Sequence, residues 1–441
     1  MRQSFDVIIV GAGMGGLVLA EALSRKGYRT AILERQPQFI PVPRGEILQP
    51  NGLRILDQLG LLDEIKAAGP HINDVFHFSR VGGPRLCTID YRMLPQPYQY
   101  TLIMLPEILM RVLLKRISDN KDIQIYWGAE FQGLLRDENR VVGAQVRENS
   151  EVQSSFSGRS GGQQLYLMAP VVIGADGVYS RVREEMRVRY RLKTYRHGYL
   201  TMLLERPQGF GPEGRYYVGR KTILGLFPVS ESQLYLFYLI PAGRHTGVSL
   251  PEAETRRPGE LEALKQAILA IDPVVKDALE GITGWGQVAY MPCRRVKADR
   301  WVADGVALIG DAAHAMNPHV SQGRNQALED AMVLSEVIAE CFHRGDFSRD
   351  ALSAYESTRR RPVEVLQGLA DELVFFWNAG DPFRTWLRDR VFHILNKNMR
   401  LRYKMLSQIA GLEHQPYSIL DRFMAAGFVP DPRAHQWQWR T

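Results

Sequence analysis

The chain has 441 residues, of which 45% are hydrophobic and 23% charged, as in a folded globular protein with room for two or three domains. It contains no run of 18 apolar residues, and its N-terminus leads directly into a strand-like segment, so we expect neither a membrane span nor a signal peptide. The net charge is +7. The densest basic stretch, residues 181–199, is explained by anionic small ligands or by a solvated face, and no nucleic-acid partner is expected.

The first predicted element is a buried strand that runs into a glycine-rich turn and a helix. Phe5–Val10 is a short apolar run, Gly11, Gly13 and Gly16 follow at G-x-G-x-x-G spacing, and Leu17–Leu23 has helical character. The first glycine permits a tight turn, the second lets the backbone approach a pyrophosphate, and the third lets the helix lie close to the strand. The helix N-terminus adds free N–H donors. This order of elements predicts a dinucleotide site.

A carboxylate follows the second predicted strand, where a ribose is expected. The run Arg29–Leu33 ends at Glu34, which would accept hydrogen bonds from a ribose 2′-hydroxyl and repel a 2′-phosphate. The site therefore favours FAD or NAD over NADP. Residues beside these positions are also assigned to the dinucleotide: Met14, Gly15 and Arg35.

The same glycine spacing recurs later without its context. Gly209, Gly211 and Gly214 match it, but Pro212 interrupts the match and the strand-like run Arg215–Val218 follows where a helix is needed. We interpret this copy as a turn between strands. The first glycine motif could also be only a structural turn. A nucleotide site is the preferred interpretation there, because a strand, a helix and an acidic residue flank the motif.

A second strand-to-helix segment is VALIGDAAHAMNPHVSQGRNQALEDA, residues 306–331. The predicted strand Val306–Ile309 ends in Gly310 and Asp311, and a carboxylate at such a strand end is placed to hold a sugar-like hydroxyl. A helix is predicted from Ser321, and its first residues offer N–H groups to a phosphate or a carbonyl. These residues are Gln322, Gly323, Arg324 and Asn325.

Together these segments resemble the fingerprints of one flavoprotein family. Residues 306–331 resemble the "GD" fingerprint of the aromatic-hydroxylase group of flavoprotein monooxygenases, which has the p-hydroxybenzoate hydroxylase fold and includes ubiquinone-biosynthesis and polyketide-tailoring hydroxylases. Residues 174–183, GADGVYSRVR, resemble its "DG" fingerprint. The resemblance covers about residues 1–363 and implies one bound FAD. The matching "DG" positions are Asp176, Gly177, Ser180 and Arg183.

The resemblance also implies roles for single residues. Asp311 is expected to bind the FAD ribitol and Pro318 to lie near the flavin ring. Arg44 is expected to reach the pyrophosphate, ahead of a helix at Pro50–Leu59. The sequence departs from the family at Ser321, where relatives often carry glycine, and this departure affects how closely the loop meets the flavin.

The implied fold is α/β: a Rossmann-like FAD-binding domain of the p-hydroxybenzoate hydroxylase type, an inserted β-sheet substrate domain and a helical C-terminal segment. FAD-binding sequence is expected in three pieces, with the substrate domain in two pieces between them. The predicted boundaries are 1–74, 101–183 and 287–363 for the FAD-binding domain, 75–100 and 184–286 for the substrate domain, and 364–441 for the C-terminal helices.

The substrate domain is expected to place a sheet over the flavin. Its predicted strands are Arg215–Val218, Thr222–Pro228 and Gln233–Pro241, and their aromatic residues alternate between faces. Most of these aromatics are expected in the sheet core, with some lining the pocket. The candidate substrate contacts are Tyr216, Phe227 and Tyr238.

The resemblance implies an oxidoreductase that uses NADPH or NADH and O₂ to hydroxylate an aromatic or polyketide-like molecule through a C4a-hydroperoxyflavin. The backbone around Pro318–Asn325 is expected to stabilise the peroxyflavin. His319 is the candidate base, whereas His314 is expected to be structural. Two alternatives stay open: an FAD-dependent reductase or dehydrogenase of a prenyl-lipid, and a non-catalytic flavin-binding regulator.

The last predicted element is a basic amphipathic helix at residues 383–404. Such a helix can rest on an acidic membrane surface, or it can pack on its own FAD domain or on a dimer mate, and packing is favoured. We expect a monomer or a homodimer. Cys87, Cys293 and Cys341 lie far apart without metal-ligand spacing, which predicts reduced thiols, no metal site and a cytoplasmic protein.

Overall fold

The computed structural model describes residues 2–41, 45–138, 140–148, 164–241 and 259–436. In chain order the strands of these residues are β1 (Arg2–Ser4), β2 (Val7–Val10), β3 (Thr30–Glu34), β4 (Glu46–Leu48), β5 (His71–Asn73), β6 (Val75–Arg80), β7 (Arg85–Asp90), β8 (Thr101–Met104), β9 (Ile123–Trp127), β10 (Ala129–Asp137), β11 (Arg140–Glu148), β12 (Gln164–Met168), β13 (Val171–Gly174), β14 (Tyr190–Glu205), β15 (Gly214–Val218), β16 (Ile223–Pro228), β17 (Gln233–Pro241), β18 (Ala289–Ala298), β19 (Val302–Ala303) and β20 (Val306–Leu308). The helices are α1 (Met14–Ser24), α2 (Pro50–Gln58), α3 (Leu62–Ala67), α4 (Pro106–Ser118), α5 (Arg181–Glu185), α6 (Glu260–Leu269), α7 (Lys276–Glu280), α8 (Asp311–His314), α9 (Gly323–Arg344), α10 (Arg349–Trp377), α11 (Pro382–Lys397), α12 (Met399–Ile409) and α13 (Ile419–Ala425).

A sheet in the order β19-β20-β13-β2-β3-β9 forms the centre of the first core. Its strands are parallel except for the β19–β20 pair. The inner strands are short, fully buried apolar runs, as expected for strands covered on both faces. The strand order reverses between β2 and β13, and ligands bind at such a reversal, outside the carboxyl ends of the strands. The α/β fold and the predicted first strands are confirmed.

A second sheet, in the order β18-β14-β17-β16-β15-β6-β7, is mostly antiparallel. One face packs under α6 and α7, and the other faces the first core and the C-terminal helices. Strand β18 lies within the piece predicted for the FAD-binding domain, yet it pairs with β14 in this sheet. The turn between β14 and β15 carries the second glycine copy, with φ +79° at Gly209, which confirms the interpretation of that copy as a turn.

The C-terminal helices cover the second sheet rather than the first. Helix α11 packs on β7, and its Phe392 and Leu395 join the aromatic core of that sheet. Arg388, a basic residue of this predicted amphipathic helix, is 1% exposed, and its guanidinium pairs with Asp389 and donates to the Gly219 carbonyl at 2.6 Å. The basic residues of this amphipathic helix are therefore not all on its solvent-exposed face.

Two further observations concern the predictions about membrane spans and cysteines. In the described part of the chain, no helix is both long enough and apolar enough to cross a membrane. Cys87, Cys293 and Cys341 are free thiols with buried side chains.

Candidate active site

A cavity of about 830 Å³ lies between the carboxyl edge of the first sheet and the second sheet. This volume is in the range of cofactor and ligand sites. The cavity brings together residues predicted from three distant segments. Those that line it are Gly13, Met14, Gly15, Gly16, Glu34, Gly177, Gly310, Asp311, Pro318, His319, Gly323 and Arg324.

The glycine turn shows which glycines serve the fold and which leaves room for a ligand. Gly11 has φ +108°, and a Cβ there would lie 2.4 Å from the carbonyl oxygen of Ala175. A Cβ on Gly16 would lie 2.3 Å from the Gly11 carbonyl oxygen. A Cβ on Gly13, by contrast, would come no closer than 4.0 Å to Ala175, and it would extend into the cavity that Gly13 lines. The open space over Gly13 therefore fits a bound group such as a pyrophosphate.

Glu34 closes the same end of the cavity at the tip of β3. Its Oε2 accepts a hydrogen bond from the Ala12 N–H at 3.0 Å, and its Oε1 accepts one from Gln36 N–H at 2.9 Å. These bonds fix the carboxylate beside the turn and leave lone pairs for ribose hydroxyls. Arg35, the next residue, is exposed and lies outside the cavity lining. Arg44 lies outside the described residues.

The side chains of the "DG" segment mostly stabilise the protein around the cavity and do not face it. Asp176 Oδ2 accepts from the Val182 N–H at 3.1 Å, and burial raises the pKa of Asp176. Arg183 is fully buried, donates to the carbonyl oxygens of Ala312 at 2.7 Å and Val178 at 2.8 Å, and lies against the Tyr190 ring. These two side chains therefore contact protein rather than the cavity, while Gly177 reaches its wall.

The "GD" turn is held by a buried ionic network that the sequence analysis missed. Asp330 on α9 accepts from the Gly310 N–H at 2.9 Å, from His314 Nε2 at 2.6 Å and from Arg359 Nε at 2.9 Å. Burial alone raises the pKa of Asp330, but His314 and Arg359 outweigh it and lower the pKa to about 2. His314 thus has the structural contacts expected of it. The available signal was an acid between Leu328 and Leu334, on the apolar face of a predicted helix.

The start of α9 separates cavity residues from residues that join helices. Gln322 and Asn325 are buried and do not line the cavity. The Gln322 side chain donates to Asn51 Oδ1 at 3.1 Å, and the Asn325 side chain accepts from the Gln49 N–H at 3.1 Å, so these two residues hold α2 against α9. Gly323 and Arg324 do line the cavity. The helix begins at Gly323 instead of Ser321, because Ser321 has left-handed φ, +51°. This conformation favours glycine over other residues.

An aromatic chamber forms the other end of the cavity. The predicted contacts Tyr216 and Phe227 line it, with ring centroids 4.9 Å apart. Tyr238 does not line it, because alternation along β17 turns its side chain to the face covered by α6 and α7. Tyr235 and Phe237, two further aromatics of the predicted strands, also line it, together with Tyr199 and Trp377, which no sequence pattern indicated.

His319 lies where the chamber meets the loop of residues 315–322, between α8 and α9. Its Nδ1 is 3.2 Å from the Tyr199 hydroxyl and contacts Asn317 Oδ1, and its Nε2 is 3.2 Å from Asn378 Oδ1. Burial and the nearby His197 lower the pKa of His319 to about 3. The imidazole is therefore neutral at neutral pH and is a weak base.

Known proteins resemble this chain over the whole region that builds the cavity. The family profile described as "FAD binding domain" matches residues 4–367. A 6-methylpretetramide 4-monooxygenase of Streptomyces rimosus is 31% identical over 363 residues, 81% of each chain. Squalene epoxidase 3 of Arabidopsis thaliana is 26% identical over 432 residues, 95% of this chain and 77% of that protein. The crystal structure of p-nitrophenol 4-monooxygenase from Pseudomonas putida DLL-E4 has the same fold, with a TM-score of 0.74, 20% identity and coverage of 94% of this chain and 100% of that one.

Proposed function

The chain belongs to the FAD binding domain family and is an FAD-dependent monooxygenase, and from this premise we propose that it hydroxylates an electron-rich, largely apolar aromatic or polyketide-like molecule with NAD(P)H and O₂. One observation carries the proposal. A single cavity joins the Gly13 turn and Glu34 at one end to an aromatic chamber at the other. A dinucleotide held at the first end can thus extend toward a substrate held at the second.

The cofactor contacts follow from the cavity lining. The N-terminus of α1, open over Gly13, would receive the pyrophosphate, and Glu34 would receive a ribose hydroxyl. Asp311 would hold the ribitol, with Pro318 beside the flavin ring. Bound FAD supplies the redox chemistry, since it accepts hydride from NAD(P)H and, once reduced, activates O₂.

The chamber favours an uncharged aromatic ring. Tyr216, Phe227 and Phe237 present tilted ring faces with centroids 4.9–5.8 Å apart, a geometry in which a further ring gains offset or edge-to-face contacts. Tyr216 and Phe227 are buried, and these rings would exclude water from the reacting atoms. Binding and orientation of the substrate are therefore the main contributions of this part of the chain.

His319 and Tyr199 provide the polar contact of the chamber. Burial raises the pKa of Tyr199 well above its ordinary value, while burial lowers that of His319, so both are uncharged at neutral pH. A phenolic substrate hydroxyl would donate to, or accept from, this pair. With a pKa of about 3, His319 is too weak a base to ionise a phenol efficiently, so we assign it an orienting role.

The proposal extends to surroundings and partners. The buried thiols of Cys87, Cys293 and Cys341 suit a reducing compartment, and we place the enzyme in the cytoplasm as a monomer or homodimer. A peripheral membrane contact through residues 383–404 would use Phe383 and Trp386, which are 64% and 48% exposed. NADPH or NADH would be attracted by the exposed basic residues near the start of β14.

The proposal is tested by the stoichiometry of NADPH, O₂ and product in a turnover reaction. Purified FAD-loaded protein is mixed with NADPH and a panel of phenols, and NADPH, O₂ and product are quantified together. We expect at least one phenol to accelerate NADPH oxidation and to yield one hydroxylated product per NADPH and O₂. NADPH oxidation that consumes no O₂ would instead support the reductase alternative.

A further inference from the structure

A second cavity of about 360 Å³ lies between the second sheet and the C-terminal helices. Its walls come from β6 and β7 on one side and from α10, α11, α12 and α13 on the other. Most of its lining is apolar and much of it aromatic, and its volume lies within the range of ligand sites. We call it the side cavity. Representative members are Phe76, Phe78, Phe376, Val391, Phe392 and Leu395.

The side cavity adjoins the aromatic chamber across a single layer of rings. Tyr216, Trp377 and His319 line both cavities. The Trp377 ring centroid is 5.7 Å from that of Tyr216 and 5.5 Å from that of His319. Phe78 stacks on Tyr216 from the side cavity at 4.5 Å. A ligand that occupied both spaces would have to displace a ring of this layer.

The charged groups of the side cavity are paired with one another or with the backbone. Arg388 pairs with Asp389 and donates to a carbonyl, and Arg422 on α13 pairs with Glu372 on α10. The Glu372 and Arg422 side chains are 40% and 45% exposed, which places this pair where the cavity meets solvent. An ionic ligand would have to break these pairs, whereas an apolar group would leave them intact.

We propose that the side cavity binds an apolar extension of a phenolic substrate whose reacting ring lies in the aromatic chamber. This inference rests on the proposed function and narrows its substrate class to phenols that carry a large apolar group. Burial of a methylene is worth about 0.8 kcal/mol, which corresponds to about fourfold in affinity. Three buried methylenes would therefore raise affinity about 50-fold.

The test measures binding of phenol and 4-pentylphenol to the FAD-loaded protein by calorimetry. We expect 4-pentylphenol to bind at least about 50-fold more tightly than phenol. Val391→Phe fills the side cavity from α11 and should reduce this ratio to about fivefold or less. Ala425→Leu, which fills it from α13, gives a second, smaller obstruction and should also reduce the ratio. Val337→Phe is the matched control, because Val337 is a half-buried helical valine outside both cavities, and its ratio should equal that of the unaltered protein.

The outcomes separate this inference from the proposed function. An unchanged ratio in both Val391→Phe and Ala425→Leu, with FAD still bound, would overturn the side-cavity assignment and leave the monooxygenase proposal intact. If the ratio depends on the side cavity but no phenol is hydroxylated, the substrate proposal fails while the binding site stands. A loss of FAD only in Val391→Phe would show misfolding of that variant, and Ala425→Leu then decides.

Discussion

The Asp330 carboxylate accepts a hydrogen bond from the backbone N–H of Gly310 at 2.9 Å, and this bond ties helix α9 to the end of strand β20. Gly310 has φ +58° and immediately precedes Asp311, the residue that we expect to face the ribitol. The remaining Asp330 contacts, to His314 and Arg359, are equally buried. A fully buried carboxylate thus fixes the backbone that presents a cofactor contact.

Asp330→Asn should weaken both folding and FAD binding. The amide keeps the shape but leaves the buried Arg359 guanidinium without its counter-charge, a loss worth about 3–5 kcal/mol. Urea unfolding and FAD titration should show this loss and a lower FAD affinity. Glu336→Gln on the same helix is the control, because its partner is the surface residue Lys26 and the expected change is about 0–1 kcal/mol. A change in Asp330→Asn no larger than that of the control would show that the Asp330 network does not hold the Gly310 turn.

Gly13→Ala and Gly16→Ala should fail in different ways. A Cβ on Gly13 meets no protein atom closer than 4.0 Å, so the variant should keep its unfolding free energy within about 1 kcal/mol yet bind FAD at least about tenfold more weakly. A Cβ on Gly16 meets the Gly11 carbonyl at 2.3 Å, so that variant should be destabilised before any ligand is added. FAD fluorescence titration and thermal unfolding separate the two effects. If Gly13→Ala bound FAD as tightly as the unaltered protein, the pyrophosphate would not bind over this turn.

Buried His319 should make the protein less stable in mild acid. Its pKa is lowered from 6.5 to about 3, so the unfolded chain binds a proton in that window while the folded chain does not. Stability is therefore lost as the pH falls below 6.5, by about 1.4 kcal/mol per pH unit. His319→Gln should flatten the measured slope of unfolding free energy against pH by about that amount, and His343→Gln, at an exposed histidine, should not. Parallel slopes for the two variants would argue that His319 is not buried as a neutral group.

The basic residues at the start of β14 should accelerate encounter with NADPH. Arg189 is 91% exposed, and Arg191 is also exposed. Replacing both with glutamate should slow flavin reduction by NADPH severalfold at ~0.01 M salt and much less at ~1 M, where the Debye length shrinks from about 30 Å to about 3 Å. The control is Arg116→Glu with Lys121→Glu, two exposed residues at the amino edge of the first sheet. Equal rates for the two double variants would show that this strand does not guide the nucleotide.

The parts of the site that the sequence predicted are those encoded locally. The Gly11–Gly16 turn and Glu34 are fixed by contacts between neighbouring elements, and the structure brings Gly13, Gly16 and Glu34 to one cavity. Asp330 and Arg359 meet across 29 residues of sequence, and Tyr199 and His319 across 120, so no local pattern reveals that these side chains pair. Such pairs depend on how the helices and sheets are placed in three dimensions.

The face of the strand aromatics and the burial of Arg388 also depend on three-dimensional placement. Strand alternation predicts that Phe237 and Tyr238 lie on opposite faces of the sheet, but the sequence does not tell which face meets the cavity. Arg388 follows the pattern of a basic surface helix, yet a carbonyl and Asp389 satisfy it inside the protein. Its burial depends on a partner strand end 169 residues away, at Gly219.

We propose that an oxygen atom from O₂ is transferred to an aromatic ring bound in this cavity. The most direct test is turnover under ¹⁸O₂ with NADPH and 4-pentylphenol or another phenol that stimulates NADPH oxidation, followed by mass spectrometry of the product. We expect one ¹⁸O atom in each hydroxylated product, and none in a parallel reaction with ¹⁶O₂ and H₂¹⁸O. Product oxygen derived from water, or NADPH oxidation that yields only hydrogen peroxide with every phenol tested, would contradict it.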